Sequence, residues 1–201
     1  MIIDLSVALN QDTPAYPGDP KISITQSATY ASDGCLGHAV QLGTHTGTHI
    51  DAPAHMIAGS PTLGTIDIDT FIGRGKLVQG LTQEALDTAH IEPGDIVLFD
   101  TNTAERLYDP SYFSDYPIMP DFIIKYLITN KVKLVGLDTC SADNADGFPI
   151  HKKLLAAGIP IIENLTNLPA LHRQSFQVFA VPLKLDLDGA PARVFAVVQD
   201  A

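Results

Sequence analysis

Cysteine is scarce in this 201-residue chain: Cys35 and Cys140 stand far apart and outside any CxxC pair. That spacing excludes a disulfide framework and a zinc ribbon, and it leaves two ordinary semi-buried thiols suited to a reducing compartment. Positive charge is scarce too, with 12 Lys and Arg against 23 Asp and Glu and a formal net charge of −11. No basic cluster exceeds Lys152-Lys153, so a phosphate backbone would be repelled and nucleic acid is excluded as a partner. Nowhere do about 18 apolar residues run together, which removes a membrane-spanning helix. The opening Met-Ile-Ile-Asp-Leu-Ser has no basic segment ahead of a long apolar run, so the expectation is a soluble, cytoplasmic protein with no membrane partner. Internal repeats, low-complexity tracts and long Pro, Gly or Ser linkers are missing as well, so residues 1–201 read as one domain.

What is present is the balance of a folded protein, 45% hydrophobic and 17% charged. Ile2 to Leu9 reads as a short strand, and Asn10 to Pro20, with three prolines and a glycine, reads as a loop. Lys21 to Tyr30 and Gly37 to Thr48 are β-branched and read as strands. Thr82 caps a helix running to His90, and Pro93-Gly94 turns into an apolar strand, Asp95 to Asp100. Pro120 opens a second helix ending near Asn130, followed by a strand from Lys133 to Asp138. His151 to Ala157 reads as a short helix closed by Gly158, leading into Ile159 to Glu163. Ser175 to Gln199 reads as two strands joined by an Asp186-Leu-Asp-Gly189 hairpin. Helix and strand alternate in the second half while both ends are β-rich, so the fold class is α/β, a single domain with a mixed sheet.

The chemistry concentrates in Gly43-Thr-His-Thr-Gly-Thr-His-Ile-Asp-Ala-Pro-Ala-His55. His45, Gly47, His49, Asp51, Pro53 and His55 share one parity, and the other parity carries only threonine, isoleucine and alanine. In an extended segment every candidate ligand then projects from one face. Gly47, the threonines and Pro53 all disfavour a helix. Imidazole and carboxylate are ligands for zinc, manganese and iron, and Gly47 admits a close approach to the backbone. The bland alternative is a polar surface stripe. Asp67 and Asp69 lie in a β-like run and read as surface residues. His90 and His172 read as exposed, His38 as either exposed or a support of the ligands, and Asp138, Asp143 and Asn144 as possible supports of the ligands. His151 and Glu163 are the best distant candidates for completing a site, although each also reads as a surface residue.

The run His45-x-Gly47-Thr48-His49-x-Asp51-x-Pro53-x-His55 resembles the HxGTHxDxPxH signature of the metal-dependent cyclase family, which includes bacterial kynurenine formamidases and isatin hydrolases. The resemblance continues through Tyr16-Pro-Gly-Asp19 to the His151 and Glu163 region, whose spacing of twelve matches the family's histidine and glutamate. It implies a mixed sheet of the swivelling β/β/α type, two divalent ions, zinc first with manganese or iron as alternatives, and a homodimer or homotetramer. It further implies one ion held by His45, His49 and Asp51 and a second by Asp51 and His151, with Glu163 touching both and His55 moving protons. The implied reaction is hydrolysis of a small molecule at an amide-type C–N bond, an arylformamide such as N-formylkynurenine or a related cyclic amide. Alternatives are a different cyclic amide, imide or lactone, or a binding module without turnover. Family formamidases carry a tryptophan against the substrate; this chain has no tryptophan, and Tyr16 stands at that place with a smaller face and an added hydroxyl.

Overall fold

The computed structural model describes residues 1–199. Among the described residues eleven strands form: β1 (Ile2–Asp4), β2 (Ser23–Ala28), β3 (Gly37–Gln41), β4 (His49–Asp51), β5 (Ile72–Gln79), β6 (Ile96–Asp100), β7 (Leu134–Leu137), β8 (Ile161–Glu163), β9 (Phe176–Phe179), β10 (Gly189–Pro191) and β11 (Phe195–Val198). The α-helices are α1 (Tyr30–Asp33), α2 (Gln83–Ala89), α3 (Asp121–Thr129) and α4 (Pro149–Ala156). None of them is long and apolar enough to cross a membrane. Nine strands make one sheet in the order β1-β11-β9-β5-β6-β7-β8-β4-β10, and β2 and β3 pair separately.

The central strands β5 to β8 run parallel, as their intervening helices require, and every other pairing in the large sheet is antiparallel. Alternation sorts their side chains. Val97, Phe99, Val135, Leu137 and Ile161 pack against Leu86, Ile123, Leu127 and Leu154 of the helices. Ile96, Leu98, Leu134 and Ile162 point the other way, onto Ile3, Leu5, Ile50 and Val178. This second core is enclosed because the sheet curls. β10 and β11 stand near opposite ends of the strand order, yet only residues 192–194 join them, a reach of about 10 Å. The Leu5 N–H to Val194 oxygen bond and the Thr166 N–H to Leu5 oxygen bond hold the two margins together.

Several sequence expectations are refined. Thr82 does cap α2, accepting from the Ala85 N–H, and His90 closes it in the left-handed region at φ 48°. The strand expected from Gly37 to Thr48 stops at Gln41, because residues 45–48 turn through Gly47 at φ 62°. Asp67 and Asp69 are exposed as expected, but they sit at a 3-10 turn, Ile68–Phe71, that Asp67 caps, instead of in a β run. The C-terminal segment holds three strands, not two. Residues 186–189 are not a hairpin between partners, since β10 crosses to pair with β4. Cys140 is buried while Cys35 is exposed, which corrects the expectation of two semi-buried thiols.

Candidate metal centre

The expected single extended run does not form; β4 covers only His49–Asp51. Left-handed Gly47 folds His45 back over β4 instead of admitting a ligand to the backbone, and a Cβ there would collide with Leu9. Pro53 opens a 3-10 turn that carries His55. Antiparallel pairing of β4 with β8 then sets His49 directly opposite Glu163. Helix α4 delivers His151, because the Asp143 carboxylate accepts from the Ile150 and His151 N–H groups at its first turn. His45, His49, Asp51, His55, His151 and Glu163 thus come together, as the motif and the distant pair anticipate. Tyr16 packs edge-on to Phe113 at 6.0 Å, in a cluster with Tyr112, Tyr116 and Cys140 whose Tyr112 donates to Asn164, the neighbour of Glu163.

Each clustered histidine has an outer and an inner nitrogen. His49 donates Nδ1–H to the Gly47 carbonyl at 2.8 Å, and His151 donates Nδ1–H to Asp143 at 2.8 Å. His45 donates Nε2–H to Asp188 at 2.9 Å. The inner atoms converge: His45 Nδ1 lies 2.7 Å from Asp51, His49 Nε2 3.3 Å from Asp51 and 3.5 Å from Glu163, and His151 Nε2 3.1 Å from Glu163 and 3.4 Å from Asp51. His49 Nε2 and Asp51 Oδ2 are buried with no hydrogen-bond partner. A neutral imidazole whose outer nitrogen carries the proton presents a lone pair inward, and lone pairs facing carboxylate oxygens repel unless a cation lies between them.

The electrostatics agree. Burial alone would lower the His49 pKa, but the Asp51 and Glu163 carboxylates facing Nε2 outweigh it and push the ring to about 10. His151 likewise rises to about 12 against its burial, through Asp143, Asp51 and Glu163. Burial would raise Asp51, yet its three histidine partners hold it well below the usual carboxylate range. The cluster therefore calls for positive charge at its centre. Donors about 2.1 Å from one tetrahedral ion stand about 3.4 Å apart, which is the spacing of most of these pairs. Two donor groups share Asp51, the buried His49–Asp51–Glu163 and the partly exposed His45–Asp51–His55. The residues present fit a divalent metal.

Of the expected supports, Asp143 touches His151 as described, whereas Asp138 instead accepts from Thr101 and Thr103, and Asn144 is exposed. His90 and His172 are exposed as expected, and His38 is exposed too. Sequence reasoning missed Asp188, which also accepts from His55 Nδ1 at 3.2 Å. It missed Asn164 as well, whose side-chain amide donates to the Gly47 carbonyl at 3.0 Å and whose side-chain oxygen accepts from Tyr112. Adjacency to Glu163 was the only signal for Asn164; Asp188 had none apart from its place in a turn-like run.

The chain as a whole is similar to known proteins. A kynurenine formamidase of Salinibacter ruber is 33% identical over 213 residues, covering 100% of this chain and 98% of that protein. The structure of isatin hydrolase A from Labrenzia aggregata superposes with a TM-score of 0.89 at 24% identity, covering 100% of this chain and 94% of that one. A structure described as a predicted metal-dependent hydrolase from Bacillus stearothermophilus matches at 29% identity with a TM-score of 0.80, covering 98% and 97%. The Cyclase family model matches residues 3–144, ending short of His151, Glu163 and Asp188. With the family model spanning most of the chain and a relative aligned along its whole length, this protein belongs to the Cyclase family.

Proposed function

We propose that this protein is a metal-dependent hydrolase of a small molecule, residues 1–201 acting as one domain to cleave an amide-type C–N bond in an arylformamide such as N-formylkynurenine. The relatives named kynurenine formamidase support a hydrolase acting on C–N bonds other than peptide bonds. The observation that carries the metal is the arrangement of His45, His49 and His151, each anchored by one nitrogen and aimed at Asp51 or Glu163 by the other. Metal-ligating histidines characteristically donate their second N–H in this way. His45, His49, Asp51, His151 and Glu163 would hold two divalent ions, zinc in first place.

A divalent ion held there supplies Lewis acidity and hydroxide at neutral pH. His55 stands beside the ligands, its ring 4.0 Å from that of His45 and 5.9 Å from that of His151. Its Nδ1 is taken by Asp188, so Nε2 is the atom that accepts the proton of the attacking water and returns it to the leaving nitrogen. The C–O bond forms first and the C–N bond then breaks as the leaving nitrogen takes the proton, giving the carboxylic acid and the free amine. Burial of His49, Asp51, His151 and Glu163 keeps competing water away from the ligands. Working copies are proposed to be homodimers or homotetramers.

A cyclic amide is the second reading, favoured by a 25% identical isatin hydrolase structure and by Tyr16 where family formamidases carry tryptophan. The test is elemental analysis of the purified protein together with turnover of N-formylkynurenine, isatin, an imide and a lactone after loading with Zn²⁺ or Mn²⁺. Turnover of the formamide above the others supports the proposal. Bound metal with no turnover on any of the four leaves a binding module, and no retained metal removes the metal centre.

A further inference from the structure

The C-terminal half of the molecule contributes an acidic group to this site that neither the motif nor the family model reaches. Residues 186–188 are pinned on three sides. Thr62 donates its hydroxyl to the Asp186 carboxylate, the Leu187 carbonyl accepts from Leu63 at 3.1 Å, and the Asp188 carbonyl accepts from Ala52 at 2.8 Å. β10 then pairs Gly189 with Asp51. Gly189 lies against the His45 ring, since a Cβ there would sit 2.7 Å from His45 Cε1 and 3.1 Å from the Ile50 oxygen. The absence of that side chain lets the ring approach β10 closely and reach Asp188.

One oxygen serves two rings. Asp188 Oδ2 lies 2.9 Å from His45 Nε2 and 3.2 Å from His55 Nδ1. A carboxylate only accepts, so both nitrogens carry their protons there. That turns His45 Nδ1 onto Asp51 at 2.7 Å, where a bound cation would take the place of its proton, and leaves His55 Nε2 free, the two orientations that ligation and proton transfer require. The side chain of Asp188 is 40% exposed, so water was available to it, and it nevertheless binds both rings.

We propose that Asp188 is a positioning residue that orients the metal-ligand candidate His45 and the proton-transfer candidate His55 through a single carboxylate oxygen. This rests on the hydrolase reading for the role of His55, while its effect on His45 is independent of any substrate. A carboxylate behind a metal-bound histidine sharpens the ring's basicity as well as its direction, and losing such a partner costs about 10- to 100-fold in metal affinity or activity.

The experiment compares wild type with Asp188→Ala and Asp188→Asn. Three quantities are read: Zn²⁺ affinity by competition with a chromogenic chelator, the His55 ring tautomer by ¹⁵N-edited NMR of the Zn²⁺-loaded protein, and kcat and KM on whichever panel substrate turns over. The expectation for Asp188→Ala is Zn²⁺ affinity down about 10- to 100-fold, a His55 ring no longer held with its proton on Nδ1, and kcat reduced at nearly constant KM. Asp188→Asn keeps an oxygen acceptor and recovers part of each loss. Zn²⁺ affinity within about twofold of wild type, with the His55 tautomer unchanged, overturns the proposal. Should Asp188→Ala fail to fold, the nearly isosteric Asp188→Asn decides: a loss in Zn²⁺ affinity of about threefold or more supports it, and none overturns it. Reduced Zn²⁺ affinity in a protein that turns over no substrate would sink the hydrolase reading alone; full turnover with unchanged affinity and tautomer would sink this one alone.

Discussion

His49 and Gly47 are joined by a 2.8 Å bond from the imidazole Nδ1–H to a main-chain carbonyl two residues earlier. The bond selects the tautomer, and the buried Nε2 is thereby turned onto Asp51 and Glu163 without a donor of its own. A local turn thus decides the chemistry of a side chain that the strand only carries.

His49→Ala and Asp51→Asn should abolish tight binding of divalent metal. Wild type is expected to gain about 2.7 kcal/mol of stability at a free Zn²⁺ concentration 100 times its Kd, and the variants nearly none. Thermal unfolding with and without Zn²⁺, and after chelation, reads this directly; equal stabilisation of all three proteins would refute it.

Gly189→Ala should displace the His45 ring. The added Cβ meets His45 Cε1 at 2.7 Å, an overpacking expected to cost about 1–3 kcal/mol. Metal affinity should fall together with stability, in contrast to substitution at a glycine remote from the ligands.

Gly75 is such a glycine, on β5, three strands away from β8. A Cβ on it would collide with the Phe176 ring and lie 2.8 Å from Val178 Cγ2, in the core enclosed by the curled sheet. Gly75→Ala should lower stability by about 1–3 kcal/mol, read as a lower urea midpoint with an unchanged m-value, and it should leave Zn²⁺ affinity as it was.

Tyr112→Phe removes the hydroxyl that donates to the buried Asn164 side chain at 2.8 Å. Leaving that acceptor unsatisfied should cost about 1–3 kcal/mol. Because Asn164 supports the Gly47 carbonyl, a fall in metal affinity should accompany the loss, whereas a purely structural tyrosine would leave affinity unchanged.

Asp138 sets a pH dependence away from the ligands. Burial holds its carboxyl above the ordinary 3.8, despite bonds from Thr101 and Thr103 that favour ionisation. With the folded pKa above the unfolded one, its favourable contribution is complete below 3.8 and is lost as pH rises through the folded value. Asp138→Asn removes that loss, so the stability of the variant relative to wild type should increase as pH climbs from below 3.8 towards neutrality. Chemical denaturation at several pH values checks the slope, and a flat difference would contradict it.

Much of the site was legible because its residues are dense in sequence. His45, His49, Asp51 and His55 fall within eleven residues, and His151 and Glu163 flank one helix-to-strand return. The parity argument named residues that the fold does bring together, but for an incomplete reason. Only His49 and Asp51 share a strand face; His45 arrives through a left-handed turn and His55 through a 3-10 turn. Periodicity cannot see a reversal made by a single positive φ. Helices α2 and α3 were placed well, since caps and breakers are local signals, as Thr82 and Pro120 show, whereas the single turn of α1 falls where a strand was expected to end.

The amino-acid order determined which side chains could ligate a cation, where helices begin and end, and which faces of β6 and β7 are apolar, because each depends on near neighbours in the chain. The tertiary structure alone decided that the sheet curls, that β10 crosses to pair with β4, and that Asp188 meets His45 and His55 from more than 130 residues away. Such contacts follow from closure of the whole sheet. A carboxylate in a short polar run carries no local mark of the two rings it will hold.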